Sequence, residues 1–336
     1  MTSPQTTAKI PFVDFARGFA IFTIVTMHLA WGLDLPGIVE KALSFGGAGV
    51  HMFILCSGFG LALSHLRRPA GYGAFLSRRL RRIYPPYFIA VALWCAYAFA
   101  KSNPIDWNAV ASHVFLYKMF DAKLDVSICY HYWFVSTILQ FYLCWPLILR
   151  LMRLRHGLPA AFAISIGWAA LVGFLGLGES RPWGSCFVQY LWEFCLGTEL
   201  AKNASSIEDR IRRLRVPHLA LAAAACIAAT GAMGVYGGVL KLFNDFTSLA
   251  GYAACALLAY KAGGRPVRRL LEWTSGFGYE WYLLHGLVHM TVLSLLPRVP
   301  PLSAALLAFA LSYGAGWTYR RALDQAFGRR PARKAA

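Results

Sequence analysis

Arg17 and His28 lie eleven residues apart within an apolar run. At 100° per residue they return to within ~20° of one helix face, separated by a rise of ~16 Å. That face offers a guanidinium at one end and an imidazole at the other. An elongated ligand can touch both. Histidine is the side chain best suited to take a proton near neutral pH. Two plainer readings stay open: Arg17 as an interfacial cation paired with Asp14, and His28 as a neutral imidazole bridging helices.

Further polar groups fall where apolar ones are expected. His51, Glu193 and His285 each sit inside an apolar run. An ionisable group in a membrane is costly, so each is a candidate site residue. Glu193 needs a partner, and Arg17 or a histidine is a candidate. Ser136 and Gln140 are spaced i,i+4 and share a face beside Trp133. An aromatic belt with interhelical hydrogen bonds explains that segment equally well. Depth alone allows a metal site of His28, His51 and His285. No carboxylate second shell is evident, so no metal is expected.

Arg78, Arg79, Arg81 and Arg82 fill four of five positions ahead of Pro85 and Pro86. Guanidinium forks suit phosphate, and Arg79 and Arg82 share a helix face. The cluster fits a phosphorylated cytosolic ligand, although it also serves as a topology signal. The prolines are expected to mark a helix entry.

The elements that position these residues follow from composition. The chain has 336 residues, 58% apolar and 14% charged, with a mean hydropathy of +0.49. Soluble domains are about a quarter charged. A secreted disulfide scaffold, a disordered chain and an ordinary soluble enzyme are excluded. Ten apolar runs are legible: 10–33, 42–66, 83–100, 130–149, 158–177, 184–200, 216–235, 239–260, 277–296 and 302–319. The expected fold is all-α, a polytopic membrane bundle of ten transmembrane helices in one domain. With both termini cytoplasmic, 25 of the 33 Lys and Arg residues fall in inner segments and seven in outer ones. The net charge of +18 is therefore assigned to orientation and not to nucleic acid. The inner loops are expected to meet anionic lipid unspecifically.

The longest connection, 101–129, contains an interfacial helix candidate at 107–120. No cleavable signal peptide, fused extracytoplasmic domain or internal repeat is read. Cys129 and Cys186 fall near the outer face and can pair in an oxidising compartment. There is no CxxC and no Cys/His zinc spacing.

Several segments together resemble the integral-membrane acyltransferase family 3. They are Asp14-x-x-Arg17-Gly18 with His28 eleven residues beyond Arg17, Gly49-Val50-His51-Met52-Phe53 through Ser57-Gly58-Phe59, and Arg79-x-x-Arg82-Ile83-x-Pro85-x-Tyr87. Trp133 through Gln140-Phe141-Tyr142-Leu143 to Pro146 and Tyr279-x-x-Tyr282-Leu283-Leu284-His285 complete the set, in order. The resemblance implies transfer of an acyl group, usually acetyl, from acyl-coenzyme A to a hydroxyl of a glycan or lipid-linked sugar, in a bacterial inner membrane. It implies functional roles for Arg17, His28, Arg79 and Arg82. On this reading the arginines hold the coenzyme phosphates and His28 is the general base. Tyr282 or His285 steadies the oxyanion. Acetyl-coenzyme A is then a co-substrate. The chain departs from the family in having His51 and Ile138 where many members carry acids. A transporter or flippase for a phosphorylated or glycosylated substrate is the alternative. A membrane acyltransferase class moving longer chains is a third reading.

Overall fold

The computed structural model describes residues 10–328 except 122, 125 and 126. Lys9, Arg329, Arg330, Arg333 and Lys334, counted among the inner charges, lie outside the described residues. Among the described residues the fold is all helix, without strands. The helices are α1 (Pro11–Ala30), α2 (Gly37–Ser44), α3 (Gly49–Arg67), α4 (Tyr72–Ala100), α5 (Trp107–Val114), α6 (Trp133–Leu143), α7 (Trp145–Leu151), α8 (Gly157–Phe174) and α9 (Arg181–Gly184). They continue with α10 (Leu191–Lys202), α11 (Ile207–Arg213), α12 (Val216–Tyr236), α13 (Gly238–Leu242), α14 (Asn244–Ala262), α15 (Arg265–Thr274), α16 (Gly278–Leu295) and α17 (Pro301–Ala326).

Each of the ten apolar runs holds a helix, but not each holds a long one. Among the described residues five helical stretches are long and apolar enough to cross a membrane: α1, the 31-residue stretch Gly37–Arg67, α4, α8 and α12. The pair formed by Tyr130–Leu143 and Trp145–Leu151, bent by 60°, makes a sixth if it is one span. Pro146 stands in the first turn of α7, where a residue without an amide donor is tolerated. The run at 184–200 becomes helical only from Leu191. α14, α16 and α17 are long enough but carry polar and charged residues along their length.

Two expectations are corrected, those on the prolines and on the interfacial helix, and the open possibility of a Cys129–Cys186 pair is not realised. Pro85 and Pro86 lie inside α4 and do not mark its start. A proline deprives the carbonyl four residues earlier of its donor. Those carbonyls belong to Arg81 and Arg82, both exposed, so water can satisfy them. Cys129 and Cys186 are both free. The expected interfacial helix is shorter than 107–120: α5 ends at Val114, followed by a 3-10 turn at Lys118–Phe120. Its start is fixed by Asp106, whose side chain accepts from the amides of Asn108 and Ala109.

α1 is the hub, touching α3, α14, α15, α16 and α17. Glycine lets the backbones close. A Cβ on Gly18 would stand 1.8 Å from the carbonyl oxygen of Leu271 in α15. α3 and α10 share the most extensive contact. A Cβ on Gly58 would lie 2.1 Å from the oxygen of Phe194, and one on Gly197 2.0 Å from that of Leu55. Small residues at such crossings are how helices associate where no hydrophobic force separates them from lipid.

Two predictions follow from this packing. Gly197→Ala forces α3 and α10 apart and costs about 1–3 kcal/mol. Gly231→Ala in α12, with nothing within 4 Å of its added methyl, is neutral or mildly stabilising. Thermal melts in detergent separate the two. The second concerns His113, fully buried in α5. Its ring bonds the Tyr87 hydroxyl at 2.8 Å and the Ser127 carbonyl at 3.1 Å. Burial, with the Lys118 charge adding to it, pushes its pKa down to about 3. A depressed histidine contributes stability that is complete above its unfolded value near 6.5 and is lost as pH falls toward 3. Acid unfolding of His113→Gln should therefore show a shallower pH dependence than wild type between pH 6.5 and 3.

Candidate active site

A cavity of about 810 Å³ runs along α1 and is lined by both Arg17 and His28. Arg79, Arg82 and Arg320 join Arg17 in its wall, and Tyr130, His131 and Trp133 join His28. Arg78 and Arg81 are exposed and are not among its lining residues.

The arginine end is held by backbone and tyrosine contacts. Arg17 donates from Nη2 to the Cys56 carbonyl at 2.9 Å, passing Gly60, where a Cβ would stand 2.8 Å from the same nitrogen. α4 is docked beside its arginines by Tyr279, which donates to the Ile83 carbonyl at 3.1 Å, and by Tyr319, which donates to the Pro86 carbonyl at 2.7 Å. Arg320 bonds the buried Glu280 at 3.3 Å and Asp324 at 3.0 Å.

At the other end three histidines meet. His28 Nδ1 lies 2.8 Å from His285 Nε2. The two rings are nearly parallel, 11° apart, with centroids at 5.0 Å. His131 lies against His285 with centroids at 4.3 Å. The tautomers follow from their partners. His285 Nδ1 faces the Tyr282 carbonyl at 2.8 Å and must carry a proton, because a carbonyl only accepts. His285 Nε2 is then bare and accepts from His28 Nδ1–H. The lone pair of His28 is left on Nε2. His131 Nε2 donates to the same Tyr282 carbonyl at 3.1 Å, leaving Nδ1 bare, 3.2 Å from the Cys129 thiol.

His131 reaches that position through a short 3-10 turn, Tyr130–Tyr132. The turn is stitched to α16. Tyr132 donates to the Leu283 carbonyl at 2.6 Å, and the Tyr282 hydroxyl donates to the His131 carbonyl. Gly286 makes room, since a Cβ there would lie 2.8 Å from His131 Cε1. Lys118, buried behind the turn, donates to the carbonyls of Ser127 and Cys129 at 3.0 and 2.8 Å.

The remaining candidate residues divide. Trp133 lines the cavity, and the Arg181 guanidinium lies 5.5 Å from its ring centroid. Gln140 accepts from the Phe187 amide at 3.0 Å. Ser136 is buried. Neither lines the cavity, so the shared face inferred from their spacing does not turn them toward it. The partner of Glu193 is His51, at 2.7 Å through Nδ1. Asp245 stands 3.6 Å from His51 Nε2 and accepts from Gln189 at 2.8 Å. This cluster joins the first turns of α3, α10 and α14 and is separate from the three histidines.

His131, Arg320 and Asp245 had no role in the sequence reading. His131 stands in an aromatic run that reads as a belt. Arg320 reads as one of many inner-loop cations. Asp245 is a single acid at a helix start, where acids are common.

An acyltransferase-domain family model matches residues 10–321. The chain belongs to this family, acyltransferase family 3, and is accordingly a multi-pass membrane protein of the acyl-transferring kind. No curated protein matches the chain, and no solved structure does.

Gly286→Ala provides a test of the histidine geometry. The added methyl displaces His131 and loosens the Tyr282 carbonyl anchor. A misplacement of about 1 Å passed on from His131 to the groups it positions costs up to on the order of 100-fold in rate. Acyl transfer should fall by that amount while the far-ultraviolet spectrum keeps its helical content.

Proposed function

We propose that the protein is an O-acyltransferase that takes an acyl group, acetyl in the first instance, from cytosolic acyl-coenzyme A. The acceptor is a hydroxyl of a glycan or lipid-linked sugar. The observation that carries this reading is the single cavity with Arg17, Arg79 and Arg82 in its wall together with His28. The ~16 Å along α1 between Arg17 and His28 is comparable to an extended pantetheine arm. Guanidinium groups at one end match the nucleotide phosphates. A neutral imidazole at the other matches the reacting thioester.

On this reading His28 Nε2 takes the acceptor proton as the hydroxyl oxygen attacks the thioester carbonyl. The new imidazolium keeps its Nδ1–H on His285 Nε2. The tetrahedral intermediate then collapses, the C–S bond breaks, and His28 returns the proton to the leaving thiolate. Atoms and charge balance without a further reactant. Both nitrogens of His285 are engaged and the Tyr282 hydroxyl is committed to His131. Their suggested role therefore changes from oxyanion donors to positioning residues. A ten-span topology with both termini cytoplasmic brings the donor to the arginine end and leaves His28 in the outer half of a bacterial inner membrane.

The test is binding followed by turnover. The purified protein is titrated with acetyl-coenzyme A, free coenzyme A and a long-chain acyl-coenzyme A. The same titrations are made on the double variant Arg79→Ala/Arg82→Ala. Saturable binding that weakens by about 10²–10⁴-fold in the variant supports the coenzyme site, since each of the two lost charge-assisted bonds is worth about 1.5–3 kcal/mol. The preferred chain names the acyl group. His28→Ala should bind coenzyme A as wild type does and lose transfer by about 10²–10⁴-fold. An active His28→Ala enzyme refutes the base assignment. A folded protein that binds no acyl-coenzyme A refutes the donor.

A further inference from the structure

We infer that the cluster of His28, His131 and His285 is a binding site for a divalent transition-metal ion of the zinc type, and that the ion, when bound, switches the base off. One nitrogen from each ring falls in a group whose members all lie within 4.8 Å of one another. The sequence reading considered His51 as the third member and expected no metal. In the fold His51 is held by Glu193 and Asp245, and His131 occupies the third position.

Three features fit a metal. The first is the ligand chemistry. Three imidazoles and no carboxylate suit zinc, cobalt, nickel or copper and do not suit magnesium or calcium, which require oxygen. The second is the outer support. A metal-bound histidine donates its distal N–H to a carbonyl or carboxylate. Here His285 Nδ1 and His131 Nε2 both donate to the Tyr282 carbonyl. The third is access. His131 and His285 are 2% and 1% exposed, whereas His28 is half-buried and faces the cavity. Three protein ligands with an open side toward a cavity match the pattern of zinc sites that keep a free position.

The separations must adjust modestly. Tetrahedral ligands at about 2.05 Å from zinc lie roughly 3.3 Å apart. The 2.8 Å pair of His28 and His285 opens, and the widest separation closes. The proton between His28 and His285 gives way to the ion. His28 then coordinates through Nδ1, and its one N–H moves to Nε2, the nitrogen that carried the basic lone pair. The site itself stands on geometry alone. The inhibition rests on His28 acting as the base in the proposed acyl transfer.

The experiment uses full-length protein in detergent, stripped with a chelator and titrated with Co²⁺. Expected is one ion per chain with the visible d–d bands of a four-coordinate site. Those bands should disappear in His131→Ala and in His285→Gln and persist in His218→Ala, which alters an exposed histidine. Circular dichroism checks that each variant keeps its helix content. Absence of the bands in wild type overturns the site. So does their survival in both cluster variants. In a parallel assay Zn²⁺ should suppress acyl transfer and a chelator restore it. If Co²⁺ binds at the three histidines and Zn²⁺ leaves transfer unchanged, the metal site stands and the base assignment of His28 fails.

Discussion

The carbonyl oxygen of Tyr282 accepts two imidazole N–H groups, and the chemistry of the site depends on that. An imidazole buried in an apolar bundle has two equivalent tautomers until a partner selects one. A carbonyl selects without ambiguity, because it can only accept. His285 is fixed first, and its bare Nε2 then fixes His28, although His28 is on another helix. His131 is fixed by the same oxygen from a third segment. Helix α16, the turn at Tyr130–Tyr132 and α1 are held in register by one backbone atom and the contacts around it. Gly286 permits this, since its missing side chain is the space His131 fills.

A second polar system obeys a different constraint. His51, Glu193 and Asp245 all sit in the first turns of their helices. Unpaired amides at a helix start favour negative charge, so the two carboxylates stand where the backbone helps to hold them. The histidine between them supplies the partner that a buried acid requires. Removing one member leaves the others buried without compensation, which is more costly than never having placed them there. The close approach of α3 and α10 through Gly58 and Gly197 brings these first turns together. The cluster therefore locks the crossing of α3 and α10 at the α14 end and takes no part in lining the cavity.

The sequence made the long-range plan legible and the local turns opaque. Arg17 and His28 could be placed on one face because both lie on an uninterrupted α1, where the helical period holds. Glu193 could be expected to have a partner, Arg17 or a histidine, because a buried acid needs one, but only the fold selects His51. His131 could not be read as a site residue, because a 3-10 turn has no long periodicity and its neighbours are all aromatic. Ser136 and Gln140 share a face as their spacing requires, yet spacing cannot say which neighbour that face meets. Pro85 and Pro86 read as a boundary because proline breaks a helix interior. They lie within α4 because the carbonyls they strand are in its exposed arginine segment. The number of spans was read from apolar content, and α10, with 12 helical residues, shows why such a count exceeds the number of long helices.

The arginine end of the cavity carries its own argument about what it must hold. Arg17, Arg79, Arg82 and Arg320 all face one space. Glu280, the acid in that part of the wall, is bonded to Arg320. Like charges gathered next to a low-dielectric bundle repel far more strongly than they would in water. A fold does not accumulate such an excess for packing, since apolar side chains of the same volume would be more stable there. In the proposed function the phosphates of the donor relieve that repulsion. Binding energy gained there can hold an attached, uncharged arm in place along α1. At the far end the histidines share the wall with Arg181, whose guanidinium lies against Trp133. In the proposed acyl transfer, the spacing of Arg17 and His28 along α1 is what lets one cavity hold one part of the donor and act on another.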